Sequence, residues 1–359
     1  MLATFSQLVH KRFLWLLIAS YIVAGFFPGW GLAIRGISWG SVSLPMLMLG
    51  FLLFNAGSGI NVAELTKLRH DPWCLIAGLA ANLLIPVVFI WLVMQTMRAW
   101  HNGDEVQNIL VGLALVASMP IAGSSTAWSQ NANGNLALSL GLVLMSTLIS
   151  PLCTPIALHS VGLMTTGDYS EDLHEMAESG TGWFLLVSVV VPSLLGVLCN
   201  RAVARRVSQL KPYLKLANST DLLLLNYSNA AVSLPQAVAD PDPDFLIAIL
   251  TITLLLCLVG FATGWMIAKA RRTGPPEQVS LMFGLGMNNN GTGLVLASMT
   301  LADHPRVLLP IIFYNLVQHL IAGCVDFVML RRSSNGAGRA DLQPHSRHRE
   351  IAQPARHSK

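Results

Sequence analysis

Ten apolar segments, most near the ~20 residues an α-helix needs to cross a bilayer, occupy approximately 13–34, 42–60, 73–97, 108–127, 136–160, 182–200, 216–237, 245–268, 279–299 and 307–330. Nothing else constrains the fold as strongly. Inside hydrocarbon every backbone N–H and C=O must find a partner within the protein, and segments of this length satisfy that need as helices. Composition agrees. Of 359 residues, 53% are hydrophobic and 11% charged, against about 25% charged in a soluble domain. The expected fold class is therefore an all-α polytopic membrane protein with ten transmembrane helices. A soluble enzyme, a nucleic-acid-binding protein and a disulfide scaffold fit poorly. The cysteines Cys74, Cys153, Cys199, Cys257 and Cys324 lie in or beside apolar runs with no CxxC spacing, and read as packing residues.

Charge placement adds an orientation. With the N-terminus in the cytoplasm, 19 of the 22 Lys and Arg residues fall on the inner side, and only Arg35, Arg98 and Arg306 fall outside. Positive residues are retained on the cytoplasmic side during insertion, so this split predicts both termini inside and an even number of spans. The 165–180 loop carries Asp168, Glu171, Asp172, Glu175 and Glu178 without Lys or Arg, as an external loop can. Residues 1–12 are read as a cytoplasmic N-terminus and 331–359 as a disordered basic cytoplasmic tail, whose His345, His348 and His357 are solvated rather than metal-bound. The first segment is read as a retained helix, not a cleaved signal. Trp15, Trp30, Trp73, Trp100, Trp183 and Trp265 fall near segment ends, as interfacial anchors do. The location expected is a plasma or bacterial inner membrane.

Five segments followed by five would place two halves in opposite orientations, the arrangement of many secondary transporters. The fourth segment of each half is unusual in the same way. One reads ASMPIAGSSTAWSQNANGN from Ala117, the other FGLGMNNNGTG from Phe283. Pro120 lacks a backbone donor, and Gly123, Gly284, Gly286, Gly291 and Gly293 lower the cost of leaving helical geometry. Breaks are expected at Gly123–Thr126 and Gly286–Asn290, crossing near the midplane. Broken helices there would present carbonyls to cations and helix N-termini to anions. Ser124, Ser125, Thr126, Asn288, Asn289 and Asn290 would add hydroxyl and amide groups. For one such segment alone, close packing of small residues would be the simpler reading; the symmetric pair favours a transport site.

At these residues the chain resembles the bile acid/sodium symporter family. GNLALSLGLVLMSTLISPLCTP (Gly134 to Pro155) looks like that family's fifth helix, and GLGMNNNGTGLVLA (Gly284 to Ala297) is similar to its ninth-helix motif. The resemblance spans roughly 13–330. It implies a ten-helix inverted repeat in the transmembrane part, 13–330, with a panel (helices 1, 2, 6, 7) rocking against a core (helices 3–5, 8–10), and uptake of organic anions with sodium. It also implies sodium ligands, and there the sequence departs. Ser125 and Ser139 match, but an Asn is replaced by Thr126, a Thr by Val143 and a shared Glu by Gly284. The second ion site would keep the carbonyls of Leu285 and Met287, with Asn288 for a Gln and Asn82 near another Gln. Sodium at Ser125, Thr126, Ser139, Leu285, Met287 and Asn288 is therefore expected to bind weakly, since net ligand charge tunes cation affinity.

The function expected is a secondary active transporter of small organic anions, bile-acid-like or smaller carboxylates and sulfonates. Ser125, Thr126, Ser139, Asn288 and Asn289 would line the crossing, with Asn82, Gln318 and His319 behind. Nothing points to an enzyme, and no cofactor is expected besides sodium as a coupling ion. Partners are the anion and the lipid bilayer, not nucleic acid. An efflux carrier and a non-transporting sensor on the same fold are the alternatives. Asp221 and Asp326 are the acids within predicted spans; the first is read as an exposed acid near a helix start, the second as a partner of Arg331 or Arg332.

Overall fold

The structure, a computed structural model, describes residues 12–40, 42–60, 62–69, 72–178 and 180–340. The first eleven residues, and the tail histidines His345, His348 and His357, lie outside them. Among the described residues the protein is all-α apart from a two-residue hairpin, Ser38–Trp39 with Val42–Ser43. In order, the helices are α1 (Phe13–Phe26), α2 (Gly29–Gly36), α3 (Leu44–Ser58), α4 (Val62–Leu65), α5 (Trp73–Thr96), α6 (Gly103–Ser118), α7 (Ser124–Asn131) and α8 (Leu136–Gly162). They continue with α9 (Asp168–Glu178), α10 (Thr181–Leu185), which passes through a π-helical turn into α11 (Val191–Ala230), α12 (Leu234–Ala239), α13 (Pro243–Arg271), α14 (Pro275–Gly286), α15 (Asn290–Thr300) and α16 (Leu308–Ala340).

Among the described residues, five helical stretches are long and apolar enough to cross a membrane: Trp73–Ala99, Leu136–Gly162, Thr181–Ala202, Pro243–Arg271 and Pro305–Met329. A sixth span results if the bent pair α1 and α2 counts as one. Only 17% of the most apolar window of the first stretch is buried. A helix this apolar and this exposed needs lipid around it. The protein is thus an all-α integral membrane protein.

Several boundaries differ from those expected. The first segment is not one straight helix. It bends by 92° at Phe27 and Pro28, because Pro28 and Gly29 interrupt an apolar run that hydropathy alone reads as continuous. The acidic 165–180 loop contains the helix α9, whose Tyr169, Leu173 and Met176 are buried at helical spacing. The fourth segment begins earlier, where the Asn102 side chain caps α6 by accepting from Asp104 N. Finally, α16 runs on to Ala340, into the segment read as the tail; 341–359 lie outside the described residues.

The segment α11 is helical along its whole backbone, yet it cannot be a straight rod. A Cβ at Gly196 would overlap the Phe54 carbonyl, while Asn55 Nδ2 donates to Leu214 O at 3.2 Å. Residues 196 and 214 of a straight helix stand about 27 Å apart, and Phe54 and Asn55 are neighbours. The chain therefore reverses between Gly196 and Leu214, and both legs pack against α3. Leu185, Val189 and Leu225 accordingly share one apolar cluster with Met48, Leu49 and Leu53.

Connections cluster at two ends. At one end His101 Nε2 lies 3.3 Å from Asp244 Oδ2, Tyr169 donates to Asp104 Oδ1 at 2.7 Å, and His304 Nε2 lies 3.5 Å from Asp172 Oδ2. At the other, Asn135 N donates to Pro276 O, Asn135 Nδ2 donates to Glu277, and Asn200 Nδ2 donates to Ile60 O. Burial pushes the Tyr169 hydroxyl well above its ordinary pKa, and the Asp104 carboxylate that accepts its hydrogen bond adds to the effect. This ties α9 to α6 through a neutral phenol that keeps donating.

Candidate functional site: two broken helices joined back to back

Two helices stop inside the bundle. The segment from Gly103 breaks at 119–123 and resumes as α7; the segment from Pro275 breaks at 287–289 and resumes as α15. The second break falls where expected. The first lies just before the expected Gly123–Thr126, because Pro120 offers no N–H and Ser124, Ser125 and Thr126 already form the first turn of α7.

The breaks satisfy each other. Ile121 and Asn288 form an antiparallel bridge, in which Ala122 N donates to Met287 O at 2.9 Å and Asn289 N donates to Pro120 O at 2.9 Å. Side chains complete the set. Ser146 Oγ accepts from Ile121 N at 3.1 Å, and Gln318 Oε1 accepts from Asn288 N at 3.0 Å. Unwound backbone buried in an apolar bundle survives only with such partners.

Both resumed helices begin at the crossing, so two positive dipole ends meet there. One faces α3 and the other α11. A Cβ at Gly123 would lie 3.3 Å from Ala56 on α3, and one at Gly291 would lie 3.9 Å from Leu225 on α11. Around these N-termini, polar atoms are buried without partners: Ser125 Oγ, Asn288 Oδ1, both amide atoms of Asn290, and Thr292 Oγ1. They are five of the ten such atoms among the described residues. Buried polar groups are ordinarily paired, so this concentration marks a place where something else supplies the partner.

Of the residues singled out from the sequence, Ser125, Thr126, Ser139, Asn288, Asn289 and Gln318 surround the two breaks. Ser139 Oγ donates to Thr126 Oγ1 at 3.3 Å, and Asn289 Oδ1 caps α15 by accepting from Thr292 N at 3.4 Å. Asn82 on α5 lines a small cavity with Leu285, Asn288 and Tyr314. His319 is buried on α16, one residue on from Gln318 and about 100° round the helix. Asp221 lies within the helical segment α11 with its Oδ2 buried and unpaired, rather than exposed at a helix start. The side chains of Arg331 and Arg332, expected partners of Asp326, lie outside the described residues, and Asp326 Oδ1 is buried without a partner.

The sodium ligand set expected from the sequence is made of neutral groups. Met287 O is already bonded to Ala122 N, and Leu285 O faces Gly260, where a Cβ would overlap it. Val143 packs in an apolar cluster with Leu138, Leu142 and Leu281. Gly284 is closed by Leu142, whose Cδ1 would lie 2.9 Å from an added Cβ. Three neutral hydroxyls, on Ser125, Thr126 and Ser139, and the unpaired Asn288 Oδ1 remain, with no carboxylate among the residues named.

A further set of polar residues was not legible in the sequence. Gln318 Nε2 donates to Asn315 Oδ1 at 3.2 Å, and Asn315 Nδ2 donates to Asn226 Oδ1 at 2.9 Å and to the Tyr21 hydroxyl at 2.8 Å. Tyr21 in turn donates to Asn226 Oδ1 at 3.1 Å. This buried relay runs from the second break to α1 and α11. The spacing of Asn315 and Gln318, three apart on one helix face, was the available signal.

Apolar helices enclosing two broken ones, whose unwound backbone is held by polar partners, are the build of a secondary transporter. The chain belongs to the SBF-like CPA transporter family, whose pattern matches residues 11–331. Uncharacterized protein YbaS of Bacillus subtilis is 28% identical over 308 residues, covering 83% of this chain and 91% of that one. Uncharacterized sodium-dependent transporter YocS of the same organism is 24% identical, covering 74% and 78%. Sodium/bile acid cotransporter 7 of Rattus norvegicus is 23% identical, covering 78% and 81%. The resemblance to bile acid/sodium symporters is thereby borne out.

Proposed function

We propose that the chain is a secondary transporter of small organic anions working by alternating access, with ten spans in two inverted five-span repeats. Five spans are long apolar helices and one is bent; two more are the broken helices, one is the short α3, and one is the second leg of α11. The loops that this topology puts on one side are those that touch each other. The first, second, sixth and seventh spans form a panel and the remainder a core, with both termini cytoplasmic in a plasma or inner membrane. A carboxylate or sulfonate would sit between panel and core, accepting from the unpaired Asn290 amide near the positive N-terminal ends of α7 and α15. Asn288, Asn289, Gln318 and Asn82 hold the crossing in shape, and His319 stands behind. The observation that carries this reading is the back-to-back bridge of the two breaks with unpaired polar atoms around it.

Relatives bearing sodium-dependent names make sodium the first coupling ion to test. With Val143 and Gly284 in place of side-chain ligands, coupling in this chain is weaker than where a carboxylate is present, and uptake responds to sodium shallowly. Initial uptake rates of a labelled bile acid and labelled short carboxylates, with sodium replaced by choline at fixed pH, test it. A steep sigmoidal sodium dependence would contradict it.

A further inference from the structure

Arg35 stands where panel meets core, and the fold goes to some length to put it there. After the 92° bend, α2 is fastened to α11: a Cβ at Gly31 would lie 2.6 Å from Ala231 Cβ and 3.2 Å from Ser228 Cα. The Tyr227 hydroxyl donates to Phe27 O at 2.6 Å. From the last turn of α2, Arg35 Nη1 donates to Asn229 Oδ1 on α11 at 2.8 Å, and Nη2 donates to Ser298 O on α15 at 3.0 Å. Ser298 lies in the last turn of α15, where carbonyls lack helical partners and the dipole is negative. One guanidinium therefore joins a panel helix to a core helix of the proposed transporter.

Directly behind this contact lies the packed seam between α11 and α15. Leu225 precedes Asn229 by four residues and Val295 precedes Ser298 by three, so each lies one turn deeper on the same face. Leu225 and Val295 share an apolar cluster, and Leu225 also approaches Gly291 at the start of α15. Arg35 thus covers the outer end of a seam that leads to Asn290, about 12 Å further down the helix. Both of its acceptors are neutral, and Asn229 Nδ2 beside it is buried without a partner. A carboxylate or sulfonate would form charge-assisted, two-pronged bonds to the guanidinium that a neutral carbonyl and amide cannot match.

We infer that Arg35 is an anion-released latch: it closes the outer end of the panel–core seam by bridging Asn229 and Ser298, and an arriving organic acid group exchanges for those acceptors and opens the way to the crossing. The inference rests on the proposed transport of organic anions.

The test needs no identified substrate. In the full-length chain with its five cysteines replaced, Leu225→Cys is labelled by two impermeant methanethiosulfonates, one carrying a sulfonate and one a quaternary ammonium, in intact cells and in inverted membranes. Arg35→Gln raises both rates by about tenfold or more from the outer side and lowers the sulfonate-to-ammonium ratio by a similar factor, the loss of one charge-assisted contact. Arg35→Lys raises the rates but keeps the ratio, since charge remains without the two-pronged geometry. Asn229→Asp gives the guanidinium a charged acceptor and slows both reagents, which misfolding cannot do. Unchanged rates in Arg35→Gln, an unchanged ratio, or faster labelling in Asn229→Asp would overturn the latch. Loss of the latch with retained anion exchange leaves the transporter standing; intact latch responses without any exchange remove the transporter reading alone.

Discussion

Asn288 and Asn290 stand two positions apart in the same motif, and their amides meet opposite circumstances. Asn288 Nδ2 donates to Val116 O at 2.9 Å, whereas neither amide atom of Asn290 has a partner. Asn288→Leu strands a buried carbonyl and should cost about 1–3 kcal/mol, read as a lower melting temperature in detergent. Asn290→Leu removes no bond and should leave the melting temperature unchanged or higher, while abolishing anion transport. A shared loss of stability would argue that Asn290 is merely structural. Gly284 makes a second residue-scale case. An added Cβ would press on Leu142 Cδ1 at 2.9 Å, which that side chain can relieve by shifting, but an unpaired buried carboxylate is costly, so Gly284→Glu alone should fold poorly. Combined with Leu142→Ala, Thr126→Asn and Val143→Thr, it should steepen the sodium dependence of uptake; an unaltered sodium response would show that the missing carboxylate is not what weakens coupling.

At the scale of elements, the long apolar helices and the paired breaks were legible because each is written in consecutive residues. Pro120 with Gly123, and Gly286 with three asparagines, announce interrupted helices wherever they occur in an apolar run. The bend at Pro28 was written just as locally, but apolar residues on both sides concealed it. What no local pattern contained was partnership: Tyr21, Asn226 and Asn315 are isolated polar residues in apolar segments until folding joins them across 89 to 294 positions. The reversal within α11 is likewise visible only through α3. Gly196→Ala would press a methyl group into the Phe54 backbone, and overpacking of this kind costs about 1–3 kcal/mol or more. Its melting temperature should fall, while Gly29→Ala, which meets nothing within 4 Å, should leave it unchanged. Equal melting of the two variants would contradict the close packing of α11 on α3.

For the whole molecule, the proposed motion is a rocking of panel against core about a polar crossing, with the acid group of the substrate held at helix N-termini. Topology is its scaffold: a reporter fused after Lys359 should score as cytoplasmic, and an external score would break the inverted repeat. Transport itself is decided by counterflow. Purified protein is reconstituted into vesicles loaded with a mixture of unlabelled bile acids, short carboxylates and sulfonates, and each labelled anion is offered outside in turn with choline as the cation. The account predicts that at least one labelled anion accumulates transiently above equilibrium, without sodium, and that Asn290→Leu abolishes the accumulation. Anions that bind and stabilise the protein while none exchanges across the membrane would contradict it and identify a sensor built on a transporter fold.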